Sequence, residues 1–375
     1  MTAMDTARAR DAFPATKHLV CYNHAGISPL PGASLAAQQA FLQDRAESGS
    51  KNYFAWIRAV EETRSLAASL MQAKPGEIAF TGNTSMGLSL IAAGLSWKHG
   101  DRVVVSAPDF PSVIYPWLNL ARLGVSVDYL ERIDGRVSLG AAAQALDTPA
   151  KMLVVSSVDY ATGAACDLVG LGALCRERDT LFCLDAVQSL GVLPLNVKQT
   201  GAHFAAAGTH KWLCGPMGLG LVYVAEETAD LLHTPVAGWK SVVDEENFSL
   251  HFDLKTEAAR LEPGTLDIGA IMALQASLTL LLDAGIPAIR EHVFNHIDAL
   301  TSELTTRGLA IASPADPAER SGIVCFDHPN PEGLFHHCLD HNVALSLRDE
   351  HIRLSPHFYA DDSDIERFLA VLDDF

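Results

Sequence analysis

The sequence predicts an α/β fold, with a large domain built on a mostly parallel sheet followed by a smaller α+β domain. The first observation is that short apolar runs alternate with helical segments from Gly76 to Val224. The second is that the chain after about Phe252 changes to a compact mixture of short strands and helices. The runs of the predicted sheet are EIAFTG, RVVVSAP, SVDYLE, KMLVVSSV, LFCLDA, FAAAGT and GLGLVYVA.

This pattern divides the chain into an N-terminal segment over 1–17, a large domain over 18–251 and a small domain over 252–375. A helix between the two domains is predicted near 267–300, where IGAIMALQASLTLLLDAGI is the longest nearly apolar run. That run has the length of a membrane span. Because no second run resembles it and Asp267 and Asp283 lie at its ends, a buried helix is favoured and no membrane is expected.

The charge balance argues against two classes of partner. The 375 residues include 27 Lys and Arg against 45 Asp and Glu, a formal net charge of −18. This charge disfavours nucleic acid and anionic membrane surfaces, so local features must hold any anionic ligand. The seven cysteines are scattered without a CxxC pair, which favours a reduced, cytoplasmic compartment. The N-terminal MTAMDTARARDAF lacks the apolar stretch of a secretory signal.

Polar or aromatic residues follow several of these runs, at the sheet edge where such folds bind ligands. After EIAF, the turn TGNTSMG opens an amphipathic helix, and backbone amides with the hydroxyls of Thr84 and Ser85 predict a site for a dianion. An ordinary helix cap explains Thr84 alone equally well. Phe110 follows the second run and can stack on a flat ligand, although packing in the core is the usual role of a single phenylalanine.

Lys211 lies between two runs that have the composition of buried strands, in AAAGTHKWLCGPMGLGLVYV. Burial lowers a lysine pKa and frees a nucleophilic amine, which fits a Schiff base; a general base, a phosphate ligand or an amine reaching solvent are the alternatives. Asp185 ends LFCL, and its carboxylate can keep a pyridine nitrogen protonated or cap the next helix. Gln188 can donate to a phenolate oxygen on the same ring. Together these groups favour pyridoxal 5′-phosphate as the cofactor.

The segment LDAVQSLGVLPLNVKQTGAHFAAAGTHKWLCGPMGLGLVYV resembles the class V aminotransferase family. This family is a branch of the fold type I pyridoxal phosphate enzymes and includes cysteine desulfurases, kynureninases and isopenicillin N epimerase-like proteins. The segment follows the family's Asp-x-x-Gln, His-Lys and Gly-Pro-x-Gly pattern. Weaker matches extend from YNHAGISPLP to IRLSPHFYADDSDIERFLAVL, so the resemblance covers nearly the whole chain. It implies a fold type I transferase with a mostly parallel seven-stranded sheet.

The resemblance also implies roles for residues of this sequence. Lys211 is the Schiff-base lysine, Asp185 the partner of the pyridine nitrogen and Gln188 the donor to the phenolate oxygen. Arg353, in IRLSPH, matches the arginine that binds the substrate's α-carboxylate as a bidentate fork. Phe110 stacks on the ring, as the aromatic does in kynureninase-like and epimerase-like members. The implied contacts to the phosphate are Asn83, Thr84, Ser85, His210, Trp239 and Thr265.

The family places its active sites at a subunit interface, so the resemblance implies a homodimer. The segment EPGT, which ends in Thr265, resembles the one that reaches the neighbouring subunit's phosphate. Side-chain specificity is expected from the loops NHAGIS, PSVIYPW and SLRDEH. By position, these loops offer Asn23, His24, Tyr115 and Arg348 as substrate contacts.

The chain departs from the desulfurases at their sulfur-accepting cysteine. Only DEH separates VALSLR from IRLSPH, which leaves no room for the cysteine loop of one desulfurase group, and the small-residue cysteine loop of the other is absent. Cys338 lies in a helix-like segment where a packed thiol is favoured. His337 and His341 are four residues apart and could bind a metal, but a solvated helix face is favoured and no metal is expected.

The sequence therefore predicts a cytoplasmic, homodimeric pyridoxal phosphate enzyme acting on a small α-amino acid, with Lys211 as the base at Cα. The sequence favours aminotransferase and Cβ lyase activities about equally. Epimerase-like racemisation is less favoured than either, and desulfurase activity is disfavoured. A non-catalytic binding module is disfavoured because Lys211, Asp185 and Arg353 are all present. A nicotinamide-dependent dehydrogenase is disfavoured because TGNTSMG lacks the required glycine spacing.

Overall fold

The structure is a computed structural model that describes residues 6–248 and 250–375. Within these residues, twelve strands form three sheets. They are β1 (Val20–Cys21), β2 (Ile78–Thr81), β3 (Arg102–Ala107), β4 (Ser126–Glu131), β5 (Met152–Ser156), β6 (Leu181–Asp185), β7 (Phe204–Gly208), β8 (Gly220–Val224), β9 (Val324–Phe326), β10 (Val343–Ala344), β11 (Ser346–Arg348) and β12 (His351–Leu354).

Helices cover the sheets and connect their strands. The α-helices of the described residues are α1 (Thr6–Asp11), α2 (Gly32–Ser48), α3 (Tyr53–Met71), α4 (Thr84–Gly94), α5 (Pro111–Leu118), α6 (Leu139–Leu146), α7 (Leu168–Glu177), α8 (Val197–Thr200), α9 (Ile268–Ala284), α10 (Ile286–Thr306), α11 (Pro331–Asp340) and α12 (Asp362–Asp373). Short 3₁₀ helices span Pro14–Lys17, Pro75–Glu77, Asn119–Leu123, Glu226–Leu231, Glu245–Asn247 and Ala258–Leu261.

The central sheet has seven strands in the order β2-β8-β7-β6-β5-β3-β4. Strands β3 to β7 pair in parallel with their neighbours, whereas β8 is antiparallel to both β7 and β2. This confirms the predicted α/β class and its mostly parallel sheet. Because β4 follows β3 along the chain but β5 returns to the other side of β3, the carboxyl ends of β3, β5 and β6 lie side by side.

Both faces of this sheet are buried, which explains why its strands are continuous apolar runs. Along β3, Val103 and Val105 belong to the hydrophobic cluster beneath α4 and α5, whereas Val104 belongs to the larger cluster on the opposite face. The larger cluster also contains Phe41 of α2 and Ile271 of α9. The alternation of side chains along each strand therefore fills two cores at once.

The C-terminal part is built on β9, β11 and β12, which form an antiparallel sheet in the order β11-β12-β9. The N-terminal residues pack against it: β1 pairs in parallel with β10, and Arg10 Nη2 donates to Asp364 Oδ1 at 2.9 Å. The bounds 18–251 and 252–375 stay predictions. The contacts nevertheless associate β1, which falls inside the predicted large domain, with elements of the predicted small domain.

The apolar run predicted as one helix near 267–300 forms two helices, α9 and α10, bent by 78° at the break around Gly285. Helix α9 packs against α2 and α3 of the large part. Among the described residues, no single helix has both the length and the apolar composition needed to cross a bilayer, and α9 with α10 satisfies that test only as a bent pair.

Candidate active site

The first turn of α4 contains the residues of the predicted dianion site. Asn83 caps the helix, because its Oδ1 accepts the Met86 N–H at 2.9 Å. The N–H groups of Thr84 and Ser85 have no intrahelical acceptor and point out of the helix, where they favour an anion. The Ser85 hydroxyl lies 2.6 Å from that of Ser112 on α5. Asn83, Thr84 and Ser85 therefore lie where a phosphate group can be bound.

Gly208, at the end of β7, brings His210 next to Thr84. A Cβ atom at position 208 would lie 3.0 Å from His210 Cε1 and 3.3 Å from Thr84 Oγ1. Only glycine leaves the space between these two side chains open at the helix N-terminus. Burial, followed by the neighbouring charge of Lys211, lowers the pKa of His210, so the imidazole is neutral and can donate one hydrogen bond to a phosphate.

Asp185 ends β6 with a buried carboxylate. Its Oδ1 accepts the Val187 N–H at 2.9 Å, and the Ser157 hydroxyl donates to its main-chain carbonyl at 3.0 Å. Burial raises the pKa of Asp185 to about 7, against the opposing effects of that N–H and of Lys211. A protonated pyridine nitrogen supplies the positive partner that a buried carboxylate needs in order to stay ionised.

Trp212 fixes the orientation of the Gln188 amide. The indole Nε1–H donates to Gln188 Oε1 at 2.8 Å, and Gln188 Nε2 donates to the Ala25 carbonyl at 3.0 Å. An amide nitrogen carries two hydrogens, so the second N–H of Gln188 remains available as a donor. This is the donor that a phenolate oxygen requires.

Lys211 follows β7 by three residues, with its Nζ 5.7 Å from the centre of the Phe110 ring. Burial lowers the pKa of Lys211 to about 8; Asp185 opposes this shift, and the charges of Arg353 and Arg348 add to it. The amine is therefore partly deprotonated near neutral pH, as a nucleophile or base must be.

Phe110 presents its ring at the mouth of the site, with 45% of its surface exposed. The ring of Tyr160 meets it edge-on, with centroids 5.5 Å apart and planes at 74°. Because Lys211 Nζ lies over one face of the Phe110 ring, a flat ligand held at Lys211 can stack on that face.

A buried ion pair beneath Phe110 was not predicted from the sequence. Asp109 Oδ2 lies 3.0 Å from Arg132 Nη2, and Asp109 Oδ1 accepts the Ser156 hydroxyl at 2.7 Å and the Phe110 N–H at 2.7 Å. The Ser106 hydroxyl donates to Oδ2 at 2.8 Å. The pair thus ties together the ends of β3, β4 and β5 and sets the backbone of Phe110. The sequence signal was an aspartate directly before the aromatic residue, with no local partner.

Arg353 is buried in β12 with one nitrogen unpaired. Its Nε donates to Ser346 Oγ at 3.0 Å, Nη1 donates to the main-chain carbonyl of Tyr160, and buried Nη2 has no partner. Burial, followed by the charge of Arg348, lowers the pKa of Arg353 to about 10. A buried guanidinium without an anion is costly, so the geometry fits a substrate carboxylate at Nη2. Tyr160, which both Phe110 and Arg353 contact, was missed in the sequence.

The structure separates the two substrate contacts expected near the N-terminus. His24 is fully buried, with Nδ1 at 2.9 Å from the Ser355 carbonyl and Nε2 at 2.8 Å from the Tyr359 hydroxyl. Both ring nitrogens are used, so we assign His24 to positioning these neighbours rather than to contacting a substrate. Asn23 differs, because its Oδ1 is buried without a partner. Tyr115 is 64% exposed on α5.

Trp239 and Thr265 both lie beside Gly264. Trp239 Nε1 is 4.0 Å from where a Cβ of Gly264 would be, and Thr265 lines a cavity of about 430 Å³ that also contacts Thr81 and Met86. Met86, beside the Thr84 turn, is half exposed. Thr265 therefore borders a cavity beside the Thr84 turn, and the role of Thr265 and Trp239 towards a neighbouring subunit stays a prediction.

His337 and His341 lie near Asp374, with one ligand atom of each within 4.8 Å of the others. The rings of the two histidines are 4.2 Å apart, and His337 Nε2 is 3.9 Å from Asp374 Oδ2. His337 lies on α11, His341 directly follows that helix and Asp374 directly follows α12, and these elements do not contribute to the site around Lys211. That site needs none of its atoms.

An anion site at a helix start, a buried carboxylate, an amide donor and a lysine of lowered pKa define a pyridoxal phosphate-dependent enzyme. The family model for Aminotransferase class-V matches residues 21–357. The chain belongs to this family, and pyridoxal 5′-phosphate is its cofactor.

Relatives and solved structures agree with this assignment. A probable cysteine desulfurase of Methanothermobacter thermautotrophicus is 28% identical over 94% of this chain and 88% of its own length. The apo structure of cysteine desulfurase from Thermococcus onnurineus NA1 has a TM-score of 0.91 and 26% identity, covering 100% of this chain and 98% of that one. The cystine C–S lyase C-DES, in complex with its reaction product cysteine persulfide, has a TM-score of 0.90 and 22% identity, covering 97% and 99%. These matches confirm the fold type I class.

Proposed function

We propose that the chain is a Cβ–S lyase, which removes the Cα proton of a cysteine-derived amino acid and releases the sulfur group from Cβ into solution. One observation carries this proposal. Asp349 and Glu350, both in the left-handed region with φ of 46° and 69°, are the whole turn between β11 and β12. A two-residue hairpin turn holds no mobile loop, so this position offers no cysteine to accept sulfur.

The seven cysteines support the same conclusion. All of them lie in the described residues, six are buried, and Cys166 is half-buried. Cys325, beside Arg353 in the sheet, donates its thiol to the Ala161 carbonyl, and burial raises its pKa to about 12. Burial also raises the pKa of Cys166, and that of Cys338 to about 11. Thiols held protonated and away from solvent are poor sulfur acceptors.

Each residue of the site has a role in this reaction. When bound, pyridoxal 5′-phosphate supplies an electron sink for the charge left at Cα. Lys211, as an amine, takes the Cα proton, and Arg353 holds the α-carboxylate so that this proton points towards it. Asp185 would supply the negative charge that keeps the pyridine nitrogen protonated, and the Thr84 turn would hold the phosphate.

L-Cystine shows how the atoms balance. The Cβ–S bond breaks and its electron pair leaves with the sulfur, while water completes the products. One L-cystine and one water give pyruvate, ammonia and cysteine persulfide. The reaction needs no oxidant or reductant and no cysteine of the enzyme. It therefore suits a site whose thiols are all sequestered.

Product analysis tests the proposal. The cofactor-loaded protein is incubated with L-cystine or L-cysteine, and pyruvate, ammonia, alanine and persulfide are measured. We expect pyruvate and ammonia in equal amounts, and unchanged rates in Cys166→Ala, Cys325→Ala and Cys338→Ala, provided that these variants keep their thermal stability. Alanine with a persulfide on the protein would contradict the proposal in favour of a desulfurase, and turnover that requires a keto acid would favour an aminotransferase.

We further propose that the enzyme is a cytoplasmic homodimer in which Thr265 completes the neighbouring site. Val236 and Met217 are more than half exposed near the Thr265 cavity, and such apolar surface is typical of a subunit interface. The test mixes refolded Lys211→Ala and Thr265→Arg subunits, each inactive alone. If Thr265 acts across the interface, a mixed dimer has one intact site and regains activity; if it acts within its own subunit, both sites stay defective. Sedimentation at equilibrium measures the dimer itself.

A further inference from the structure

Two histidines and an aspartate meet near the C-terminal end of the chain, in a group that the proposed reaction does not use. We call His337, His341 and Asp374 the α11–α12 cluster; one ligand atom of each lies within 4.8 Å of the others. The two histidines are neighbours one helical turn apart. Asp374 directly follows α12, which packs against α11. The fold therefore adds a carboxylate to a histidine pair for which the sequence alone favoured a solvated helix face.

The ring of His341 is already oriented by the backbone. Its Nδ1 lies 2.8 Å from the main-chain carbonyl of His337. A carbonyl oxygen only accepts hydrogen bonds, so Nδ1 of His341 carries the hydrogen and Nε2 keeps its lone pair. Histidines that bind metals are commonly held in this way, with the second ring nitrogen donating to a backbone carbonyl. His341 thus has the tautomer that a metal ligand requires.

The other two members of the cluster lack partners of their own. Nε2 of His337 is buried without a hydrogen-bond partner, and it lies 3.9 Å from Asp374 Oδ2. This distance is too long for a hydrogen bond, but it is within about 0.5 Å of the separation between two ligands of one tetrahedral zinc ion. Among the described residues, Asp374 has no further ion-pair partner, whereas its neighbour Asp373 is bonded to Arg307.

We propose that the α11–α12 cluster binds a divalent transition metal of the zinc class, with water in the fourth position. Two imidazole nitrogens and a carboxylate oxygen are ligands that zinc accepts, at about 2.0–2.2 Å. The side chains of His341 and Asp374 are exposed, so their rotation can bring the three ligand atoms to these distances. The ring of Phe375 packs on that of His337, with centroids 5.2 Å apart, and forms an apolar wall beside the ligands.

The metal joins α11 to the C-terminal end of the chain. Helix α11 packs against β10, β11 and β12, and β12 carries Arg353. A ligand that binds the folded chain and not the unfolded one stabilises the fold. The metal is therefore a clamp on the C-terminal part of the protein, whereas the chemistry stays at Lys211. This role does not depend on which reaction the enzyme performs.

Calorimetry on the untagged holoenzyme tests the site, with Zn²⁺ as the titrant and Mg²⁺ in a parallel titration. We expect Zn²⁺ to bind and Mg²⁺ not to bind, because Mg²⁺ prefers oxygen ligands and retains its water. In His341→Gln and in Asp374→Asn, the dissociation constant of Zn²⁺ should rise about 10-fold to 100-fold or more. The matched controls are His336→Gln and Asp340→Asn, at exposed positions on the same helix, and both should bind Zn²⁺ as the wild type does.

Thermal unfolding of the holoenzyme measures the clamp. Zn²⁺ at about 100 times its dissociation constant should raise the unfolding midpoint of the wild type by about 3 °C, and EDTA should reverse this shift. The midpoint of His341→Gln should not respond to Zn²⁺. In EDTA the wild type and His341→Gln should unfold at closely similar temperatures, because His341 is exposed. A lost response to Zn²⁺ is then distinguished from a damaged fold.

Three results would overturn the proposal. Equal affinity for Zn²⁺ in the wild type, His341→Gln and Asp374→Asn would place the metal elsewhere on the chain. Equal binding of Zn²⁺ and Mg²⁺ would indicate an unselective acidic surface. A wild-type chain that does not bind Zn²⁺ would leave the α11–α12 cluster as the solvated helix face that the sequence favoured.

Discussion

The site has two parts: the carboxyl edge of the central sheet, here called the cofactor half, and the β11–β12 hairpin, here called the substrate half. These two halves differ in how completely the chain satisfies its own polar groups. At the sheet edge, Asp109 has partners for both oxygens and Gln188 for both ends of its amide. On the β11–β12 hairpin, Arg353 has a buried nitrogen without a partner and Arg348 has no acid. The first half is preorganised, and the second is complete only with an anionic ligand.

This difference teaches that the same type of group has opposite energetic effects in the two halves. Removing one partner of a buried charge pair strongly destabilises the fold. A buried charge that has no partner already destabilises the fold before any substitution. Removing a charge is therefore expected to destabilise the cofactor half and to stabilise the substrate half when no substrate is present. The following substitutions test this contrast.

Lys211→Ala is expected to have the largest effect, because it removes both the covalent anchor and the base. We expect turnover to fall by about 10³-fold or more. Borohydride treatment followed by mass spectrometry should show the cofactor attached to the wild-type chain and absent from the variant. Lys98→Ala, at an exposed lysine, is the control and should retain both label and rate. A labelled Lys211→Ala chain would place the reactive amine elsewhere.

Asp109→Asn is expected to lower the free energy of unfolding by about 3–5 kcal/mol. The substitution keeps the shape of the side chain but removes the carboxylate charge that is bonded to buried Arg132. Urea unfolding of the cofactor-free protein measures the change. Asp128→Asn breaks an exposed pair with Arg102 and should cost no more than about 1 kcal/mol. Equal effects at the two positions would show that the buried ion pair contributes no more to the free energy of unfolding than the exposed pair does.

Arg353→Gln is expected to separate binding from stability. Loss of the α-carboxylate partner should raise KM by about 30-fold, equivalent to roughly 2 kcal/mol. The substrate-free protein should become more stable by about 1 kcal/mol, because the lowered pKa of Arg353 shows that the fold disfavours its charge. Arg307→Gln, at a more exposed pair, is the control. A less stable Arg353→Gln would mean that its bonds to Ser346 and Tyr160 outweigh the unpaired charge.

The cofactor half was largely predictable, because strands and turns alone place Asp185, Gln188 and Lys211 at one edge. The Asp109–Arg132 pair was not, since its partners are 23 residues apart and meet only through the order β5-β3-β4. The position of His24 suggested a substrate contact, and only the structure shows that Ser355 and Tyr359 use both nitrogens. Unsatisfied atoms, such as Nη2 of Arg353, depend on packing that no local pattern encodes.

The pH dependence of stability gives the smallest expected effect and tests whether the cofactor half is also complete without its cofactor. Burial raises the pKa of Asp185 from 3.8 to about 7, so between these pH values the folded protein binds more protons than the unfolded chain. The free energy of unfolding contributed by this group therefore falls as pH rises through that window.

Asp185→Asn removes that titration and should flatten the profile. We expect the wild-type cofactor-free protein to lose about 1 kcal/mol more than the variant between pH 6 and pH 7, because the folded protein releases the Asp185 proton only as pH approaches 7. Comparing the two proteins cancels the other titrating groups. A parallel profile would show that Asp185 ionises as freely in the fold as in the unfolded chain. If the profile flattens as expected, Asp185 is a position in the cofactor half that, like Arg353 in the substrate half, requires a ligand charge from outside the chain.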